Sequence, residues 1–367
     1  MPENWGKRLV VLVSLNNEKV KKKMKSTIKI QLLCLLVFGN FGWSQLDNVQ
    51  TITKTGTTAA QFLKIGVDPR GSSMGNAFTA MPGDVSSMFW NPAGLTAVKR
   101  IESMFVESDW LAGVSYNYLA LALPIRSIGV LGMSITNLSV PEEIVRTVTD
   151  PEGTGEYWDA QDLAINLAFA RTLTDRFSIG ANIKYIQQNI WHATADAFAV
   201  DIGALFITPW GVRLGASLAN YGNYMRLSGR DQKLSVDPDP QNQGNVEFVN
   251  AMYETDYFPL PLMFRVGLSG EIIKTNALRL SFGVDALHPN DNSEAVNAGF
   301  EMAMGETIFL RGGHANLFRE GAEEGFTLGG GIHYRLKSSP TIIKIDYSYS
   351  DFSRLEGVQR ISMGIKF

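Results

Sequence analysis

Long runs in which apolar and polar residues alternate constrain this chain more than any other feature of its sequence. In residues 177–185 the odd positions are apolar and the even positions are small or polar, and residues 278–285 repeat the pattern in the opposite parity. Residues 326–335 and 343–350 follow the same rule. A period of two indicates β-strands that have one apolar and one polar face.

The predicted strands are too long for an average globular sheet. Many extend over about 10–13 residues, whereas globular strands average about 5–6 and a tilted membrane-spanning strand needs about 9–11. About fourteen such segments can be placed. They lie at 101–109, 113–124, 127–138, 161–173, 176–191, 194–207, 211–224, 261–273, 276–287, 294–304, 306–314, 325–337, 340–351 and 357–367.

The links between these segments alternate in length. Every even-numbered strand is followed by a short link, whereas several odd-numbered strands are followed by long ones, at 139–160, 225–260 and 315–324. Outer-membrane barrels have tight periplasmic turns and longer outer loops. We therefore predict an all-β chain whose residues 101–367 form an antiparallel transmembrane β-barrel of about 14 strands in the outer membrane of a Gram-negative bacterium.

The two ends of the chain carry further signals. Residues 1–44 have the pattern of a cleaved signal peptide, with Met24 as an alternative start, an apolar stretch around Cys34, and a cleavage point near Ser44. The last strand ends on an aromatic residue, as barrel proteins of outer membranes typically do. Its predicted outward residues, a barrel-closing signal, are Ile361, Met363, Ile365 and Phe367.

Composition and residue spacing narrow the function. A net charge of -3 with 19% charged residues argues against nucleic-acid binding, which needs a basic surface. The four histidines, at 192, 288, 314 and 333, have no metal-ligand spacing, and no serine–histidine pair for hydrolysis can be built. We expect no enzyme activity, cofactor or metal.

The charges predicted to face the lumen are mixed, so they can pair across the interior. They are Lys184, Asp201, Arg213, Arg265, Glu271, Arg279, Asp285, Glu301, Arg311, Arg335, Lys344, Asp346, Arg360 and Lys366.

Residues 62–100 break the alternation. The stretch contains tight-turn residues, and Asp84 is placed to cap a short helix that ends before Asn91-Pro92. Its large apolar residues, such as Met74 and Trp90, need burial. We predict that residues 45–100 form a periplasmic or plug segment that fills the barrel lumen or its base, as a static brace or as a gate.

Part of this stretch forms a recognisable motif. Its residues are Phe62, Leu63, Arg70, Met74, Gly75, Asp84, Trp90, Asn91, Pro92, Ala93, Gly94 and Leu95. The motif resembles the N-terminal signature of the PorV/PorQ family, within the wider superfamily of FadL-like barrels. The resemblance covers about 40 residues and departs from the family pattern at Pro82-Gly83. It implies fourteen strands and an N-terminal plug.

The resemblance implies a role in type IX secretion, the outer-membrane export route of the Bacteroidota. The partners would then be the translocon or secreted cargo, besides outer-membrane lipid, and loop 225–260 would bind them through Met252, Tyr253, Tyr257 and Phe258. The alternative is a FadL-like channel for the uptake of hydrophobic compounds, which an apolar pocket between plug and outer loops would favour. A barrel with a purely structural role is a third possibility.

Overall fold

The computed structural model describes residues 54–238, 241 and 248–367. The predicted signal peptide, including Met24 and Cys34, and residues 45–53 of the predicted plug segment lie outside these residues. Within the described ranges, no helix is long and apolar enough to cross a membrane.

Fourteen long strands form a closed antiparallel barrel, which confirms the predicted fold class. Closure is made where the first strand pairs with the last, Glu102 opposite Lys366. The barrel strands are β1 (Glu102–Asp109), β2 (Ser115–Ile125), β3 (Gly129–Ile144), β4 (Tyr157–Thr174), β5 (Phe177–Ile190), β6 (Ala193–Ile207), β7 (Arg213–Gly222), β11 (Met263–Lys274), β12 (Leu278–Pro289), β13 (Ala295–Met304), β14 (Ile308–Leu317), β15 (Phe326–Arg335), β16 (Ile342–Ser350) and β17 (Val358–Lys366).

The links divide the barrel into two unlike ends. At one end, here called the short-turn end, β2 and β3 are separated only by residues 126–128 and β13 and β14 only by 305–307. The long-loop end includes residues 145–156 and 223–262, although β5 and β6 are joined there by residues 191–192 alone. The longest loop contains three short strands that the sequence pattern did not predict: β8 (Ser228–Gly229), β9 (Lys233–Val236) and β10 (Val249–Met252).

The alternating pattern places apolar side chains outside the barrel and polar ones inside, as predicted. In β17 the outward Ile361 and Met363 are 52% and 54% exposed, while the inward Arg360 and Ser362 are buried. Ile365 is half-buried, and Phe367 is exposed on the same outer surface. The backbone N–H of Phe367 donates to the carbonyl of Ile101. That the terminal residues act as an insertion signal stays a prediction.

The segment before β1 lies in the lumen and is here called the plug (residues 57–100). It begins at the long-loop end, where Ala59 N donates to Pro259 O at 2.9 Å, and it ends at the short-turn end, where Thr96 Oγ1 donates to Ser178 Oγ at 3.2 Å. The plug thus traverses the lumen rather than only bracing its base. Its short helices are Gln61–Lys64, Pro69–Ser73, Ser87–Trp90 and Pro92–Ala97.

Candidate functional site

Eight neighbouring strands each turn a glycine towards the plug, and we call this set the glycine arc. A Cβ added at Gly299 would lie 2.2 Å from the carbonyl oxygen of Met74, and one added at Gly313 would lie 2.3 Å from the carbonyl carbon of that residue. The plug backbone therefore rests directly on the wall, a close approach that only glycine permits. From β5 to β15 the arc consists of Gly180, Gly203, Gly215, Gly267, Gly283, Gly299, Gly313 and Gly329.

Hydrogen bonds fasten the plug backbone to the same wall. Asp285 Oδ2 accepts from the N–H groups of Phe78 and Thr79 at 2.9 and 2.8 Å. Ser269 Oγ donates to Ala80 O at 2.6 Å, and Asn182 Nδ2 donates to Met88 O at 2.7 Å. Buried backbone polar groups of an irregular segment need such partners, so these wall residues hold one conformation of the plug.

A buried ionic cluster joins the plug to three wall strands. Arg70 of the plug contacts Glu301 through two nitrogens, Nε at 2.8 Å and Nη2 at 3.1 Å. Arg311 and Arg279, from the strands that flank Glu301, donate to the same carboxylate at 2.9 Å each. The Glu301 side chain is fully buried. One carboxylate thus neutralises part of three guanidinium groups, and we call these four residues the Glu301 cluster.

Asp84 lies on the other side of Arg70, with Oδ2 3.1 Å from Nη1. The helix Ser87–Trp90 begins later than predicted, with Ser86 at its N-cap position, and Asp84 Oδ1 accepts from the N–H and hydroxyl of Ser86. Burial opposes ionisation of Asp84, but the positive charge of Arg70 outweighs it and holds the pKa of Asp84 below its usual range.

Trp90 is the aromatic centre of the plug. Its indole Nε1 donates to Asp68 Oδ1 at 2.6 Å, and its ring packs edge-on against Phe89 with centroids 4.8 Å apart. Burial raises the pKa of Asp68 to about 6, and the negative charge of Asp84 adds to the shift. Gly71 lies flat against the indole, since a Cβ there would be 2.6 Å from the ring.

Asn91 and Pro92 link this centre to the wall. Asn91 is extended (φ -159°), as expected before proline, and its amide donates to Thr79 O at 2.8 Å and Ala204 O at 3.0 Å. Pro92, Ala93, Gly94 and Leu95 form the buried turn that follows. The residues predicted as the plug motif therefore lie together in the lumen, including Met74 and Gly75, which touch the glycine arc and the backbone of His314.

A cavity of about 270 Å³ lies between the plug and the long-loop end. One part of its lining is aromatic, with Trp90 from the plug and Trp110 and Phe352 from the loops; the last two rings meet edge-on at 5.4 Å. The remaining lining is mixed and largely polar. It consists of Gln61, Lys64, Ile65, Gly66, Asn76, Met263, Arg265, Leu287, Pro289, Asn292, Asn297, Asn316, Arg319, Glu324 and Arg360.

Asp291 fastens the start of the plug beside this cavity. It accepts from Thr58 Oγ1 and Gln61 Nε2, both at 2.8 Å, and its Oδ2 lies 2.9 Å from Lys64 Nζ. Burial raises the pKa of Asp291, but the hydrogen bonds from Gln61, Lys64 and Thr58 outweigh burial and hold the pKa below its usual range. Asp291 therefore connects the cavity-lining residues Gln61 and Lys64 to the loop between β12 and β13.

The predicted loop residues lie on the outer surface of the longest loop. Met252, Tyr253, Tyr257 and Phe258 are 47%, 69%, 60% and 43% exposed. Arg226 covers one face of the Tyr257 ring, 4.8 Å from its centroid. These side chains are accessible and lie apart from the residues that line the cavity.

The histidines occupy separate environments. His333 Nε2 lies 3.1 Å from Asp346, and His192 Nδ1 lies 2.6 Å from Asp231. In the described part of the chain, no three His, Cys, Asp or Glu side chains come together as metal ligands.

Sequence reasoning did not single out the cavity. Arg265 and Arg360 were expected to face the lumen, which they do, but nothing in their spacing shows that they meet Trp110 and Phe352. The alternation of apolar and polar residues shows only that both arginines fall on the inward face of their strands.

The sequence matches no protein-family model and no curated protein. Several solved structures share the fold. They include a FadL homologue from Pseudomonas aeruginosa (12% identity, TM-score 0.50) and the toluene transporter TbuX from Ralstonia pickettii (13%, 0.50). The monoaromatic hydrocarbon channel CymD is similar too (13%, 0.52). Each match covers 82% of this chain and 98% of the other. The chain therefore has the same barrel fold as these FadL-like outer-membrane proteins.

Proposed function

We propose that this chain is a non-enzymatic channel through which small hydrophobic compounds cross the outer membrane. The observation that carries the proposal is the cavity between the plug and the long-loop end, because its aromatic lining joins loop residues to Trp90 of the plug. The fold adds support, since two proteins that share it are a toluene transporter and a monoaromatic hydrocarbon channel.

The geometry suggests how a ligand would act on the plug. A ring that enters from the long-loop end can stack on Trp110 and Phe352 and then reach Trp90. Trp90 is held by Asp68 and leads directly into Asn91 and Pro92, which contact the wall. A ligand that binds one position of the plug better than another shifts the balance between them. The plug is then a gate rather than only a brace.

Uptake of toluene into proteoliposomes tests the proposal. Asn292 lies in the β12–β13 loop and lines the cavity, so Asn292→Trp should fill the approach and remove most of the uptake. Asn250→Trp, on the exposed strand β10, is the matched control and should transport normally. Equal uptake by both variants, or uptake no faster than in protein-free vesicles, would contradict the proposal.

A second candidate function is protein secretion by a type IX system in a member of the Bacteroidota. The exposed loop residues, Tyr253 and Tyr257 among them, favour it, together with the resemblance of residues 62–95 to the PorV/PorQ signature. The comparisons give no support for this finer assignment, so it stays a prediction, as does cleavage of a signal peptide.

Co-purification from gently solubilised outer membranes tests this second function. Native chain should retain a large translocon barrel or secreted proteins that share a C-terminal domain. The double variant Tyr253→Ala/Tyr257→Ala should retain them about 30-fold less well if one tyrosine is an interface anchor worth about 2 kcal/mol. Recovery of the barrel alone from the native chain would exclude the secretion role.

A further inference from the structure

Arg265 is a buried cation whose side chain donates no hydrogen bond to the described residues. It projects inward from β11, is 4% exposed and lines the cavity. Its Nε and Nη1 are buried and donate to no atom of the described residues, and in that part of the chain no carboxylate lies within 4.0 Å of it. Buried guanidinium groups are normally paired, because leaving them unpaired costs free energy.

The other charged side chains of the cavity leave it positive. Lys64 is neutralised by Asp291, and Arg319 and Arg360 donate to the carbonyl oxygens of Ser293 and Gly66. Glu324 is the one acidic residue among the described lining residues, and it accepts from the amide of Asn76 at 3.1 Å. Three arginines therefore face one carboxylate, which favours an anionic ligand.

Aromatic rings stand next to this positive region. The Arg265 guanidinium lies 5.5 Å from the ring centroid of Phe89 and 5.9 Å from that of Trp90. Trp110 and Phe352 complete the aromatic side. A ligand that carries both a flat apolar body and an anionic group would meet both halves of the lining.

The size of the cavity limits the ligand further. Its volume is about 270 Å³, and a water-sized atom takes up about 30 Å³ of liquid, so about nine non-hydrogen atoms fit. A benzene ring with one carboxylate has about this size. Drug-sized ligands occupy larger cavities, of about 300–1,000 Å³.

We propose that the cavity selects small aromatic carboxylates and that Arg265 binds the carboxylate group. Arginine presents several N–H donors in a plane, a geometry that matches the two oxygens of a carboxylate. The inference rests on the proposed channel function for the ligand's route. It adds a charged class of ligand, held more tightly, to the neutral hydrocarbons of the proposed function.

One internal alternative exists. Asp285 Oδ1, on the neighbouring strand β12, is also buried without a donor, while Oδ2 accepts from Phe78 and Thr79. If the Arg265 side chain turned to this oxygen, its charge would be neutralised and the cavity would prefer a neutral ring. Tighter binding of a carboxylate than of its neutral analogue would indicate that Arg265 is free to bind the ligand. Equal or weaker binding would indicate that Arg265 is paired with Asp285.

Titration calorimetry of the full chain in detergent micelles tests the inference, with benzoate, benzamide and toluene as probes. Benzoate should bind the native chain more tightly than benzamide does. Arg265→Gln should weaken benzoate roughly 10- to 100-fold, the loss expected for hydrogen bonds to a charged group, and leave toluene almost unchanged. Arg265→Lys keeps the charge and should bind benzoate with intermediate affinity.

Arg335→Gln, at the exposed end of β15 near the short-turn end, is the matched control and should bind benzoate normally. If toluene binds but benzoate binds no better than benzamide, the carboxylate inference is wrong and the channel proposal stands. If none of the three binds, both fail. If Arg265→Gln does not form a barrel, the comparison of benzoate with benzamide on the native chain still decides.

Discussion

The Gly299→Val variant should form the barrel but fail to seat its plug, and it should therefore conduct ions far better than the native chain. A Cβ at this position would lie 2.2, 2.6 and 2.7 Å from the carbonyl oxygen, carbonyl carbon and Cα of Met74, all backbone atoms of the plug. Such overlap costs about 1–3 kcal/mol or more unless something moves. Valine suits a strand, so we expect the plug to move rather than the wall.

Single-channel conductance in planar bilayers measures the opening, and heat-modifiable electrophoretic mobility confirms that the barrel has formed. Gly330→Val is the matched control. A Cβ added at Gly330, on β15, would meet only Phe309 O at 3.3 Å and Leu310 Cδ2 at 4.0 Å, and neither atom belongs to the plug. If the folded Gly299→Val barrel had native-like conductance, the plug would have adjusted locally without leaving the lumen, and a glycine at position 299 would not be needed to seat it.

The second large effect should come from Glu301→Gln. The amide cannot neutralise the three arginines that the carboxylate contacts. Each arginine would keep a single carboxylate partner, which is Asp84 for Arg70, Glu306 for Arg279 and Asp346 for Arg311. Removing one partner of a buried ion pair costs about 3–5 kcal/mol. We expect a lower free energy of unfolding and faster proteolysis of the plug, because Arg70 is the plug's own contribution to the cluster.

Denaturant titration in detergent, followed by tryptophan fluorescence, measures this loss. Glu306→Gln removes a carboxylate from the same Arg279, but Glu306 is 62% exposed, so its loss should cost only about 0–1 kcal/mol. If Glu301→Gln were no more costly than Glu306→Gln, the Glu301 cluster would not hold the plug.

The strands could be predicted from the sequence because two different environments enforce the pattern. In β5 the apolar Ile179 and Ile183 are exposed on the outside of the barrel. The polar Asn182 and Lys184 are buried inside it, so the polarity of each residue shows which way its side chain points. The predicted bounds 176–191 agree closely with Phe177–Ile190. The strands β9 and β10 lack this constraint, and their mixed sequences gave no signal.

The contacts that make up the site could not be predicted in the same way. Arg70 and Glu301 are separated by 231 positions, and alternation shows which way Glu301 faces but not which plug residue it meets. Asp84 likewise pairs with Arg70, 14 positions away, and the capping pattern around Asp84 gives no sign of this second contact. The cavity is lined by residues from four loops and the plug, and no local sequence pattern in those loops shows that they meet.

The position of the glycine arc has a consequence for the order of assembly. The arc occupies consecutive strands from β5 to β15, whereas the seam where β1 meets β17 lies outside it. An unclosed sheet can therefore present the whole arc, and the plug can dock before the cylinder is complete. The plug's last short helix ends at Ala97 and β1 begins at Glu102. If the plug docks first, β1 is placed where β17 will pair with it, and the plug would then act as a template for closing the barrel.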